Sequence, residues 1–580
     1  MLCSLIAPRP AESAADEPSV RTNANDGKVA ATQAEFGKQH RWLMTYRAFV
    51  AFSGGGAKGL VHVGALQALE DRDVHFAGLA GTSAGAIVAA LAAAGFRARE
   101  LVDPDTGATV LDRLAEIDPA LASATGIFGP GGWLKIRLFR WCLRRSKLAL
   151  LLVGLLWATP PLGAVWLWRD GGTTALAVWL IGWLGLTLLV VWICRMLLGG
   201  LADLRRFRDA MGRLLQERLF PDEPCRIVKL SDFGAHGRPP LKIVSANLSA
   251  RRLHLFSPEK TPETPVADAV AASICLPVIF RPWVLDGDLH VDGGIVSNLP
   301  AWPFDEEREL DPEALTIAVE IEEARTAGES PSRFGWLSAA VRTALSGSGE
   351  LNVRVAGPAE QLALPTRLDL LDFDVAKADA LKEVREVAAA AGLRLDKRLF
   401  RLPEIYRNAC QVAQALAIDG LGLHPGGAGG PRVRVAVGRL ERGYWRSLRM
   451  SHSVGFESDP DEFMLVPLEG SVAGAAWADR ESRIEVHPLS PDLDLPGPAN
   501  RQRRKSRLQN LAWVMCIPIL DGDGEPRLLI QLDGNSPLPQ TAATAAALTS
   551  VEEAVKDFFN LVLHELIELE DDNGPQEQHL

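Results

Sequence analysis

Five residues constrain this chain more than any others: Gly81-Thr82-Ser83-Ala84-Gly85. The apolar segment 74–80 before them reads as a buried strand. Residues 84–94, nearly all small and apolar, follow and read as a buried helix closed by Gly95. A serine on so tight a strand-to-helix turn exposes its hydroxyl at a sheet edge. The flanking glycines permit a strained backbone and let a substrate come close. The helix N-terminus behind the serine favours developing negative charge. A bare G-x-S-x-G also arises as an ordinary glycine-rich turn, so further residues are needed.

Two other stretches supply them. Residues 49–53 read as a strand running into Gly54-Gly55-Gly56-Ala57-Lys58-Gly59, with a helix over 60–69 behind. A glycine run at such a turn leaves several backbone N–H groups pointing one way, which is how an oxyanion hole is built. The competing reading, a phosphate-binding loop, fails on spacing: neither the P-loop nor the dinucleotide pattern fits. The third stretch is Val291-Asp292-Gly293-Gly294, after a hairpin over 283–290 with an Asp286-Gly287 turn. It holds an aspartate rigidly at a sheet edge. His62 is a rival candidate for a catalytic base, but a surface or packing histidine is the commoner case and Asp292 fits better.

In that order, the three stretches resemble the three signatures of the patatin-like phospholipases. Ala271-Ala272-Ser273 followed by Pro277, then Asn298 and Pro300, and Leu371-Asp372-Phe373-Asp374 resemble lesser features of the same family. The resemblance spans residues 46–395 apart from one insertion. It implies an α/β fold, a patatin-like sheet flanked by helices. It implies a dyad in which Ser83 attacks an ester carbonyl and Asp292 takes its proton, without a histidine, a metal or another cofactor. Backbone N–H groups of Gly54, Gly55 and Gly56 are the expected oxyanion donors. Gly59, Gly81, Gly85, Gly293 and Gly294 support the motifs, and Lys58 either holds the loop or attracts a phosphate headgroup. The implied substrate is a glycerophospholipid or lysophospholipid.

The insertion sets this chain apart. Residues 148–168 carry no charge, and 174–198 carry only Arg195. Each is long enough to cross a bilayer core as a helix, for which about 20 apolar residues are needed. Trp157, Trp166, Trp168, Trp179, Trp183 and Trp192 include several near the expected interfaces. Pro160-Pro161 would kink the first helix, which membranes tolerate. The short linker Arg169-Asp170-Gly171-Gly172 makes the pair a transmembrane hairpin over 148–198. Arg137, Arg140, Arg144, Arg145 and Lys147 precede it and Arg195, Arg205, Arg206 and Arg208 follow, which places both outer ends in the cytoplasm. A buried hairpin, or one lying in a single leaflet, is the alternative.

Length and composition frame the rest. At 580 residues two or three domains are expected. A net charge of −11 argues against a nucleic-acid partner. The seven cysteines are scattered without zinc or disulfide spacing and read as reduced thiols in a cytosolic setting. Residues 1–45 read as a disordered tail, and Leu2–Ala7 is too short for the core of a signal peptide. Residues 324–350 read as a mobile loop or short helix. From 396 to 570 the pattern turns strand-rich, with a basic helix at 502–511, a hairpin over 513–532 and a closing amphipathic helix at 551–569. That order resembles a GAF domain, which implies a small-molecule effector; the last helix suits a homodimer. Residues 571–580 form an acidic tail. Two other functional readings stay open: a neutral-lipid lipase or esterase on the same fold, and a membrane-anchored sensor or scaffold with a vestigial hydrolase.

Overall fold

The structure, a computed structural model, describes residues 46–137, scattered positions within 177–199, 200–323, 360–424, 430–441, 447–456, 464–486 and 511–570, with a few residues left out inside these spans. The first domain begins with β1 (Arg47–Phe52), α1 (Leu60–Glu70), β2 (His75–Thr82) and α2 (Ala84–Ala93). It resumes with α3 (Arg205–Leu219), β3 (Leu241–Asn247), β4 (Arg252–Phe256), α4 (Val266–Ser273), β5 (Trp283–Leu285) and β6 (Asp288–Asp292). β7 (Leu315–Glu323), β8 (Glu360–Thr366) and α5 (Lys377–Leu395) complete it. Alternation of strand and helix builds a mixed sheet, in the order β5-β6-β3-β2-β1-β7-β8 with β4 also paired to β3. Helices cover it, so Ala48 to Phe52 of β1 are buried on both faces, as an unbroken apolar run requires.

The registers on β3 decide where the site lies. β4 runs antiparallel along Ile243–Asn247. β2 runs parallel and ends with Thr82 opposite Val244. β6 runs antiparallel and ends with Asp292 opposite Ser245. Because β4 occupies one edge of β3 throughout, β2 and β6 share the other. They approach from opposite directions, and their carboxyl ends abut at Val244–Ser245.

α1 packs closely on α5: a methyl group at Gly64 would lie 2.8 Å from the Val384 carbonyl oxygen. Arg72, just past α1, grips Asp396 with two hydrogen bonds of 2.9 and 2.6 Å. There the chain passes through a π-helical segment, Asp396–Arg401, into α6 (Leu402–Leu421). At 395/396, where the sequence reading puts a domain boundary, the chain changes helical winding and does not enter a loop.

The second domain is a six-stranded antiparallel sheet built from β9 (Val433–Glu441), β10 (Ser447–Val454), β11 (Leu465–Pro467), β12 (Arg483–Val486), β13 (Trp513–Leu520) and β14 (Pro526–Gly534), in the order β11-β10-β9-β14-β13-β12. Between β11 and β12 lies α7 (Val472–Asp479), and the last helix is α8 (Ala542–Glu570). Odd positions of β9 and β13 face α6 and α8; Ala436, Val514 and Cys516 face the side of α7. The apolar stripe of α8, Leu548, Val551, Val555, Phe559, Leu563 and Leu566, is buried inside this core. The stripe expected to serve a homodimer is therefore occupied within the chain.

The expected tail over 1–45, most of the hairpin over 148–198, the segment 324–350, the basic helix over 502–511 and the acidic tail over 571–580 lie outside the described residues, apart from Leu511. Among the described residues no helix is long and apolar enough to cross a membrane. Within 177–199, Leu180, Ile181, Leu184, Leu188, Val191 and Trp192 are exposed. The chain re-enters the core at Leu201 and Ala202, whose N–H groups bond the Val278 and Ile279 carbonyls. Beside this seam Phe128 stacks on Phe280 with centroids 5.3 Å apart, and Phe373 meets Phe128 edge-on at 4.8 Å.

Candidate active site

The abutting ends of β2 and β6 bring Ser83 and Asp292 together across 209 residues of sequence. The Ser83 hydroxyl donates to Asp292 Oδ2 at 2.6 Å. Ser83 sits at φ +53°, ψ −124°, a conformation sparsely populated by any residue with a side chain. Its flanking glycines are required by contact. A methyl at Gly81 would lie 2.4 Å from the Gly85 carbonyl oxygen, and one at Gly85 would lie 2.4 Å from that of Phe52. A methyl at Gly59 would lie 2.9 Å from Ala84 Cβ, so the glycine loop and the serine turn are pressed together.

The glycine loop lies over the serine. A methyl at Gly54 would come within 3.2 Å of Ser83 Cβ. Of the three expected oxyanion donors, Gly54 is already committed: its N–H donates to the Asn298 carbonyl at 2.9 Å. That bond ties the loop to the segment following Asp292. Gly56 takes φ +56°, which suits glycine. Lys58 is buried, at 4% exposed.

Asp292 is 1% exposed. Its Oδ1 accepts the Gly294 N–H at 2.7 Å, and its own N–H donates to the Cys275 carbonyl at 2.9 Å. Burial pushes its carboxyl up to about 6, against the lowering pull of the Ser83 and Gly294 hydrogen bonds. Among the described residues no Lys, Arg or His forms an ion pair with it. Gly293 has no room for a side chain, since a methyl would lie 2.2 Å from the Val244 carbonyl oxygen. Thr82 Oγ1 donates to the Ser297 carbonyl at 2.9 Å, which fastens the end of β2 to the segment after Asp292.

His62 is no base for Ser83. It is fully buried, and its Nε2 lies 2.7 Å from the Ser53 carbonyl oxygen, which can only accept; Nε2 therefore carries the proton. Burial lowers it to about 4, so the ring is neutral near pH 7. It packs edge-on against Phe52 and steadies the entrance to the glycine loop.

Two residues matter more here than their sequence context showed. Asn298 captures the Gly54 N–H, and Ser273 accepts the Ser83 N–H at 2.9 Å. Both were legible only as parts of lesser family-like segments, because their partners are remote in sequence.

A buried serine–carboxylate pair beneath a glycine loop, on a mixed α/β sheet, is an arrangement suited to acyl transfer. Residues 50–305 match the family described as patatin-like phospholipase, a match that supports a lipid hydrolase. A curated relative, the uncharacterised protein YqhO of Bacillus subtilis, is 26% identical over 280 residues, covering 46% of this chain and 70% of that protein. Among solved structures, VipD from Legionella pneumophila is similar at 17% identity and a TM-score of 0.29, covering 60% of this chain and 67% of that one. The GAF domain of a two-component sensor histidine kinase from Bacillus halodurans is similar at 17% identity and a TM-score of 0.19, covering 27% of this chain and 97% of that domain.

Proposed function

We propose that the protein is a membrane-anchored phospholipase or lysophospholipase working through a Ser83–Asp292 dyad. The observation that carries this reading is the 2.6 Å hydrogen bond between the two buried side chains. Ser83 Oγ attacks the ester carbonyl carbon as its proton passes to Asp292, and the carbonyl π electrons move onto oxygen. The Gly55 and Gly56 N–H groups receive that oxyanion, at roughly 3 kcal/mol per donor. Collapse expels the alcohol, which takes the proton from Asp292. Water then attacks the acyl-enzyme, gives a proton to Asp292, and releases the fatty acid as the proton returns to Ser83 Oγ.

Residues 148–198 are the anchor in this reading, with the domains on either side facing the cytoplasm. The exposed apolar side chains from Leu180 to Trp192 favour it, being costly in water. Cysteine-accessibility labelling is expected to place Gly171 on the opposite side of the membrane from residues 46–147 and 200–580; labelling of all three from one side overturns the spanning hairpin. The C-terminal domain is a GAF-like regulatory module in the same reading, acting through the α6–α5 connection onto α1 and the glycine loop. The decisive experiment is lipid hydrolysis by detergent-solubilised protein. Turnover lost in Ser83→Ala and in Asp292→Asn, with both variants folded, supports the dyad; turnover kept in either one refutes it.

A further inference from the structure

We infer that Ser273 is a positioning residue for this chemistry, acting through the backbone of Ser83. The inference rests on the dyad reading above. The Ser83 N–H donates to Ser273 Oγ at 2.9 Å, and the same hydroxyl donates to the Val244 carbonyl at 2.6 Å. An N–H can only donate and a carbonyl can only accept, so the hydroxyl has one orientation: its hydrogen on Val244, a lone pair on Ser83. Ser273 ends α4 and is fully buried, so water cannot replace either bond.

Its placement gives those bonds a purpose. Ser83 holds φ +53°, which a residue with a side chain keeps only where its surroundings enforce it. Val244 is the β3 residue opposite Thr82, and its neighbour Ser245 is opposite Asp292. Gly293 is pressed against the same Val244 carbonyl oxygen, with 2.2 Å to a methyl group placed there. One peptide of β3 therefore locates both the turn carrying the nucleophile and the turn carrying the base, and Ser273 ties the first of them to it. Removing the hydroxyl leaves a buried N–H and a buried C=O each short of a partner, and frees the strained turn to relax. Ser83 Oγ then leaves its place beside Asp292, and a displacement of about 1 Å next to the reacting atoms costs up to ~100-fold in rate.

The test uses the full-length protein in detergent, p-nitrophenyl butyrate as substrate and a fluorophosphonate to titrate reactive serine. In Ser273→Ala, kcat per titrated site is expected to fall ~10–100-fold while KM changes by less than about twofold, and the fluorophosphonate rate falls in step. The acid limb of the rate profile, set by Asp292 near 6, is expected to stay in place, because Ser273 acts on the nucleophile and not on the base. A lower melting temperature with kcat per titrated site unchanged overturns the inference and makes Ser273 merely structural. If Ser273→Ala does not fold, Ser273→Cys, which keeps a weaker donor and acceptor in place, must show a smaller loss in kcat of the same kind; wild-type kcat overturns the inference. Failure of the dyad reading is distinct: there Ser83→Ala itself stays active, whereas failure of this inference alone leaves Ser83→Ala inactive and Ser273→Ala at full rate.

Discussion

Asp292 in the eight-stranded sheet and Asp533 in the six-stranded C-terminal sheet both lie at or near the end of a strand, and both are 1% exposed. Asp533 is met by Arg434, itself 2% exposed, through bonds of 2.6 and 3.1 Å, and by Gln531 at 3.1 Å. The guanidinium also lies over the Phe456 ring, 4.2 Å from its centroid. Asp292 receives a hydroxyl and one backbone N–H, with no cation among the described residues. Burial penalises an unpaired charge heavily, so a carboxylate that only holds a fold together is normally given a partner. The one left without a cation has its proton affinity raised to about 6, next to the working range of a general base. Two aspartates equal in burial thus differ in the one respect that chemistry needs.

The largest expected difference between them is in turnover. Ser83→Ala and Asp292→Asn should each reduce ester hydrolysis by ~10³-fold or more, and the double variant should be little worse, because the pair acts as a unit. Asp533→Asn should leave kcat per folded molecule unchanged. Comparable losses at the two aspartates would erase the functional side of the comparison.

Stability is expected to respond the other way round. Arg434→Met leaves Asp533 buried without its cation, which should cost about 3–5 kcal/mol in urea unfolding of the C-terminal domain. Replacing both partners by apolar residues should recover much of that loss. An Arg434→Met protein as stable as wild type would mean that the ion pair does not hold this sheet together.

The sequence made the local part of the site legible and left the long-range part hidden. Gly81, Gly85 and Gly293 are glycines because of contacts within a few ångströms, and such demands leave a pattern in the chain. The hairpin before Asp292 was equally readable from its Asp286-Gly287 turn. What could not be read is pairing across many residues: that β2 and β6 meet head to head on β3, that Asn298 takes the Gly54 N–H, or that Ser273 orients Ser83. The stripe of α8 shows the same limit. Its amphipathic pattern was plain, but a pattern does not say whether α6 of the same chain or a second copy covers it.

A smaller effect, tenfold per pH unit, follows from the base itself. Asp292 accepts a proton only as the carboxylate, so kcat/KM should fall about tenfold per unit below about 6. A limb near the ordinary value of 3.8 for aspartate would show that burial does not raise this group.

The smallest expected effect is on the stability that the Asp292 proton contributes. Between 3.8 and about 6, folded protein keeps a proton on Asp292 that unfolded chain has released. The resulting contribution to stability is complete below 3.8 and is lost as pH rises through about 6. Asparagine has no such transition. Asp292→Asn should therefore gain stability relative to wild type between pH 4 and pH 8, by at most about 3 kcal/mol for a shift of about two units. The hydrogen bonds that asparagine makes less well lower the whole curve and leave its pH dependence in place. Urea melts of both proteins at several pH values measure the difference. A flat difference would mean an ordinary carboxylate and would remove the argument for a base poised by burial. If the argument holds, the difference in stability stops changing at the pH near 6 where the acid limb of activity begins, since one proton on one buried oxygen governs both.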